Sequence, residues 1–203
     1  MSKYEKRKYS LIEHIPIVFR AALGFLTLKS LKKKKVMNFK LKERIMLAVT
    51  EVNGCVLCSY VHTKLALKSG MTDDEIKALL AGDLENVPKE ESLAVLFAKD
   101  YAYQKENIDP VYYNKIEERY GVYKAKAILS VCEVITMTNS MGIAIGLLKE
   151  TLTFKHVKGS NILNEILIPI FTMILFPVFL VLSLFVLPFR LMRLKKKAKP
   201  IKV

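Results

Sequence analysis

From Ile166 to Phe189 the chain runs through 24 residues without a charge, ILIPIFTMILFPVFLVLSLFVLPF. As a helix this stretch is ~36 Å long at about 1.5 Å per residue. That is enough to cross a hydrocarbon core of ~30 Å. A helix buried in a water-soluble core is rarely apolar on every side for so long. The run therefore reads as a membrane segment, and the rest of the chain has to fold while attached to lipid. Pro169, Pro177 and Pro188 interrupt it. Pro177, at the centre, predicts a kink or a turn back within one leaflet. Each arm of such a hairpin would hold about a dozen residues, too few for a full crossing, so a single span is the expectation.

The charge pattern agrees. The 203 residues carry a net charge of +14. Residues 1–44 hold 13 Lys+Arg against 3 Asp+Glu, and residues 190–203 hold 7 basic and no acidic residues. The middle of the chain is thus slightly acidic. Positive charge that flanks apolar segments is the pattern of attachment to anionic lipid. No basic stripe interleaved with aromatic residues and no recognition motif points to nucleic acid. Membrane lipid is the expected partner, and nucleic acid is not. Both basic flanks favour the cytoplasmic side, yet one crossing cannot place both there. Residues 15–28, IPIVFRAALGFLTL, are short, broken by Pro16 and Arg20, and followed by Lys29 and Lys32 to Lys35. They read as an amphipathic helix, docked on the domain or lying at the membrane surface, with no evident cleavage site.

Between the two ends everything reads helical, so the fold class is all-α. One helix is expected over Leu41 to Val52 and another over Cys55 to Ser69, stopped by Gly70. Thr72-Asp73-Asp74-Glu75 is a capping box opening a short helix to about Ala81. Pro88 opens a helix to about Glu106, and Asp109-Pro110 opens another ending near Gly121. Tyr123 to about Leu152 is a long helical stretch with a possible break near Asn139-Ser140 or Gly142. Composition changes near Gly159. The expected division is a basic N-terminal region over 1–37, a helical domain over 38–158, and a membrane segment with its basic tail over 159–203.

The chemistry concentrates in Asn53-Gly54-Cys55-Val56-Leu57-Cys58-Ser59-Tyr60-Val61-His62. Asn-Gly is a turn signal, so Cys55 is expected to open a helix. A helix N-terminus stabilises a thiolate through its dipole and free N–H groups. Cys58 and His62, four apart, share a helix face. Cys55 and Cys58 lie one turn apart, close enough for a disulfide. A zinc site is the plain competitor. It would need ligands from Cys132, His14 and His156, none of which forms a second ligand pair. No metal and no cofactor is expected. Cys132 reads as a core residue. Three cysteines are too few for a structural disulfide framework, so a disulfide here suits redox work in a reducing compartment.

The middle of the chain resembles the AhpD-like, or carboxymuconolactone decarboxylase-like, family. Glu43, Cys55, Cys58 and His62 carry the likeness as Glu-x11-Cys-x-x-Cys-x3-His, followed by Ala66, Gly70 and MTDDEIKALLAG. It covers about residues 38 to 150. The resemblance implies an AhpD-like helical domain that assembles as homotrimers or hexamers, and thiol-dependent reduction of peroxides or disulfides. It implies that Cys58 attacks, Cys55 resolves, and Glu43 serves as a relay acid beside His62. The expected partners are then a peroxide or disulfide substrate and a thiol electron donor. Leu57 stands where some members carry a polar residue before the second cysteine. The membrane segment is an addition to the family domain. Lactone decarboxylation is disfavoured, because that branch lacks the dithiol. The competing function is a non-enzymatic, membrane-bound module for oligomerisation or partner binding. The expectation is a membrane-anchored thiol peroxidase or disulfide reductase with its catalytic domain in the cytoplasm, where the reducing pool lies.

Overall fold

The computed structural model describes residues 7–154 and 157–198. His156 and the end of the basic tail, from Lys199, lie outside the described residues. Within them the chain is helical, without strands: α1 (Leu11–Leu31), α2 (Phe39–Asn53), α3 (Val56–Lys68), α4 (Asp73–Ala81), α5 (Lys89–Tyr103), α6 (Pro110–Leu152) and α7 (Ile162–Lys197). A short 3-10 turn over Lys32–Lys34 follows α1.

Local chemistry sets most of the boundaries. Ser10 and Glu13 form a capping box at the start of α1, as Thr72 and Glu75 do at α4. Asn38 caps α2 by accepting from Leu41 N–H at 2.7 Å. Asp109 caps α6, with Pro110 at its first position. Gly121 has φ 75° and ψ 154°, a conformation closed to helical residues, so the helix opened at Pro110 bends there. The stretch beyond it runs unbroken through Asn139, Ser140 and Gly142. The break expected there is absent because those residues are buried against neighbours on both sides.

α6 is the central helix. One side of it packs on α2, α3 and α5, and the other on α1 and α7. Its buried positions mix bulky residues with small ones, the latter including Ala125, Ala127, Ser130, Ser140, Gly142 and Ala144. The main core joins Ile45, Leu47 and Val49 of α2 to Ala94, Phe97 and Tyr101 of α5 and to Ile128 and Ile135 of α6.

The uncharged segment forms one continuous helix through all three prolines, so Pro177 does not turn it back as a hairpin. α7 lies along the domain rather than apart from it. Leu11 N–H donates to Asn164 Oδ1 at 3.2 Å, Phe19 meets Phe179 edge-on at 5.5 Å, and Arg190 donates to Thr27 Oγ1 at 3.0 Å. These contacts climb both helices in the same direction, so α1 and α7 are parallel. Lys32 to Lys35 and the run from Arg190 to Lys197 therefore lie at the same end of the pair. Only a narrow seam of α7 is covered, including Glu165, Ile168, Thr172, Ser183 and Leu194. Outside that seam Met173, Ile174, Val181, Phe185 and Phe189 are exposed. Apolar area of this extent on a surface marks contact with lipid or another protein.

Polar links hold the seam. His14 is fully buried, 2.8 Å from Ser140 Oγ and 2.7 Å from Thr172 Oγ1. Arg190 reaches Glu133 at 3.4 Å, and Lys197 reaches Glu117 at 2.9 Å. One ring thus joins α1, α6 and α7. His14→Ala should leave two buried hydroxyls short of a partner beside a new cavity. The expected loss is about 2–4 kcal/mol, read as a lowered denaturation midpoint of the lipid-reconstituted protein. An unchanged midpoint would show that the seam does not rely on this ring.

Candidate functional site

α2 ends where Gly54 takes a left-handed conformation, φ 78°, and its N–H closes on the Thr50 carbonyl. That turn delivers Cys55 as the N-cap of α3. Cys55 and Cys58 form a disulfide, with their Cα atoms 5.3 Å apart. Cys58 N–H donates to Cys55 Sγ at 3.2 Å. Charge on the Cys55 sulfur is therefore favoured by a backbone donor and by the positive end of α3. Cys58 Sγ lies 3.4 Å from the Thr138 carbonyl oxygen of α6. Cys55 is 1% exposed and Cys58 7%, so both are buried and Cys58 is the less covered of the two. Attack on it would expel the better-stabilised Cys55 thiolate, and the stability of the leaving thiolate speeds exchange.

One turn beyond Cys58 on the same helix face stands His62. Its Nδ1 is 2.7 Å from Glu43 Oε2. Glu43 is fully buried on α2, and its Oε1 lies 4.0 Å from Lys42 Nζ. A carboxylate accepting from Nδ1–H fixes the tautomer and leaves Nε2 as the basic nitrogen. All four residues singled out in the sequence thus fall in one place, Glu43 and His62 meeting across a helix pair. The neighbouring Arg44 points the other way and binds Glu75 and Glu91, both at 2.5 Å. It braces α2 against α4 and α5 and takes no part in the site.

Cys132 lies elsewhere, fully buried in the main core. Burial, with Glu133 nearby, pushes its thiol well above the ordinary range, so it stays protonated and inert. His14 is occupied in the α7 seam. Among the described residues no group of three or more His, Cys, Asp or Glu is arranged to hold a metal.

Gly142 is the residue that sequence reasoning missed. A Cβ on it would stand 2.7 Å from Cys55 Sγ and 3.0 Å from Cys58 Sγ. Its missing side chain lets α6 form the floor under both sulfurs. Only its place in a small-residue stretch, Asn139-Ser140-Met141-Gly142, hinted at a close approach. Around the pair, Ile17, Val18, Met137, Ile143 and Ile168 form an apolar cluster contributed by α1, α6 and α7. The sulfurs therefore sit against the layer that carries the membrane-type helix.

Gly142→Ala should press on both sulfurs. The disulfide holds them in place whereas free thiols can rotate away, so the oxidised form suffers more. An overpacking cost of about 1–3 kcal/mol corresponds to a potential less negative by about 20–60 mV. Titration against glutathione buffers measures it, and an unchanged potential would mean that the helix yields instead.

No curated protein and no solved structure matches the chain. Residues 20–99, from the second half of α1 to within α5, match the model of the Carboxymuconolactone decarboxylase family. The matched stretch begins earlier than the resemblance read from the sequence and ends before α6, but it contains Glu43, both linked cysteines and His62. Over this stretch the chain is similar to the carboxymuconolactone decarboxylase family, and within it the chain carries a Cys-x-x-Cys pair.

Proposed function

We propose that the protein is a membrane-associated thiol oxidoreductase that cycles Cys55 and Cys58 between dithiol and disulfide to reduce peroxides or partner disulfides. The observation that carries this reading is the linked pair at the start of α3 with the Glu43–His62 pair, 2.7 Å apart, one turn away. A buried carboxylate holding a histidine beside a dithiol is a proton-handling device, and a structural disulfide needs none.

The chemistry balances without a cofactor. His62 Nε2 takes the Cys58 proton, and Glu43 stabilises the resulting imidazolium. The Cys58 thiolate attacks the terminal oxygen of a hydroperoxide. The O–O bond breaks, the alcohol leaves with a proton returned from His62, and Cys58 becomes a sulfenic acid. Cys55 then attacks the Cys58 sulfur and expels water, forming the disulfide. Two electrons have passed from the dithiol to the peroxide. A thiol donor restores the pair by attack on Cys58, leaving its own thiols as a disulfide. With a partner disulfide in place of the peroxide, the dithiol gives two electrons by the same exchange. Decarboxylation, the other activity within the family, makes no use of a dithiol.

The setting fits lipid. α7 offers an uncharged exposed face, and both basic clusters lie at one end of the α1–α7 pair. They would meet one headgroup layer together, on the cytoplasmic side, and no turn at Pro177 is needed to bring them there. Assembly as a trimer or hexamer belongs to the same proposal.

Free-thiol counts before and after a peroxide pulse test the reading. Two thiols should be lost and then restored by a dithiol reductant, with Cys58→Ser and Cys55→Ser each abolishing turnover. Full turnover by the double variant would end the enzyme reading. His62→Ala and Glu43→Gln should slow Cys58 alkylation near neutral pH by about 10²–10⁴ and move its pH midpoint upward. An unmoved profile in both variants would make the pair structural.

A further inference from the structure

A second concave site lies away from the dithiol, between α1, α2 and α6. It is a groove of about 610 Å³, and that size suits one small ligand, roughly 300–1,000 Å³. Ala127, Val131 and Val134 of α6 form its floor. Phe25 and Phe39, each almost half exposed, stand as lips on α1 and α2. Four lysines line it: Lys29, Lys32, Lys35 and Lys42. No acidic residue lines it. Lys42 has Glu43 at 4.0 Å and rests over the Phe39 ring. Among the described residues Lys29, Lys32 and Lys35 are paired with no carboxylate.

An apolar trough whose only charges are cationic is complementary to an amphiphile with one anionic head. The apolar floor takes a hydrocarbon chain, and each buried CH₂ contributes about 0.8 kcal/mol. The lysines take the head through charge-assisted hydrogen bonds. A peptide would bring backbone N–H and C=O groups that this floor cannot satisfy. The groove opens at the end of α1 where the basic clusters of α1 and α7 coincide, so a chain entering from a headgroup layer would meet the lysines first.

We infer that this groove binds the acyl chain of a long-chain fatty acid, with its carboxylate held among Lys29, Lys32, Lys35 and Lys42. The inference is independent of the redox reading, because it uses neither cysteine.

The test is photo-crosslinking of the full chain in zwitterionic lipid nanodiscs with a diazirine-bearing palmitate. Crosslinks mapped by mass spectrometry should fall on the peptide holding Val131 and Val134. Palmitate should compete them away, and its methyl ester should not. Lys29→Glu with Lys32→Glu, both at exposed positions, should cut labelling of that peptide about tenfold. Lys195→Glu with Lys196→Glu should leave it unchanged. Labelling confined to the outer face of α7 would overturn the inference, since that is general lipid contact. Equal competition by the methyl ester would overturn it too, because the lysines would then recognise nothing. If labelling is absent and the Lys29/Lys32 variant instead dissociates an oligomer, the groove is a subunit interface and the inference fails.

Discussion

Burial of α6 from two sides is the constraint on which this structure depends. A helix covered on one side needs only a stripe of apolar residues. α6 is covered by α2, α3 and α5 on one side and by α1 and α7 on the other. Bulky side chains all round would hold these layers apart. Alanine, serine and glycine at the contact positions let both approach, and Ser140 and Gly142, two residues apart, show the consequence. Ser140 binds His14 in the α1–α7 layer. Gly142 lies under the two sulfurs of α3. The seat of the membrane-type helix and the floor of the dithiol are thus the same few residues of one helix.

This shared support links packing to chemistry. The dithiol sits in an apolar cluster to which α1, α6 and α7 all contribute. An apolar setting alone raises a thiol's pKa and silences it, as it does Cys132. Cys55 and Cys58 differ from it in their local surroundings. The start of α3 supplies a backbone donor to Cys55 Sγ, and the hydrogen-bonded Glu43–His62 pair stands one turn beyond Cys58. Position at a helix end distinguishes the linked pair from the buried Cys132 within the same small domain.

Much of this was legible in the residues. The spacing of Cys55, Cys58 and His62 is local, so helical geometry alone brings the three to one end of one helix. The capping boxes at Ser10 and Thr72, the left-handed Gly54 and the Pro110 start are local too, and their helices begin and end close to where those signals fall. The length and purity of the 166–189 run required a long apolar helix whatever surrounds it. Glu43 was legible only through the family pattern. By itself it is an acid beside an arginine, and only the fold shows Arg44 turned to Glu75 and Glu91 while Glu43 turns to His62.

The sequence by itself determined the all-α class, the membrane-type helix and the grouping of Cys55, Cys58 and His62 at one helix end, because each depends on periodicity or on short spacing. Tertiary structure alone decided three things. It set α1 and α7 parallel, which brings together two basic clusters more than 150 positions apart. It made α7 one helix along the domain, since its polar contacts to His14, Thr27, Glu133 and Glu117 occur along its whole length. It also placed Gly142 beneath sulfurs more than 80 positions away. Contacts of that separation depend on how layers pack, and no local rule of spacing reports them.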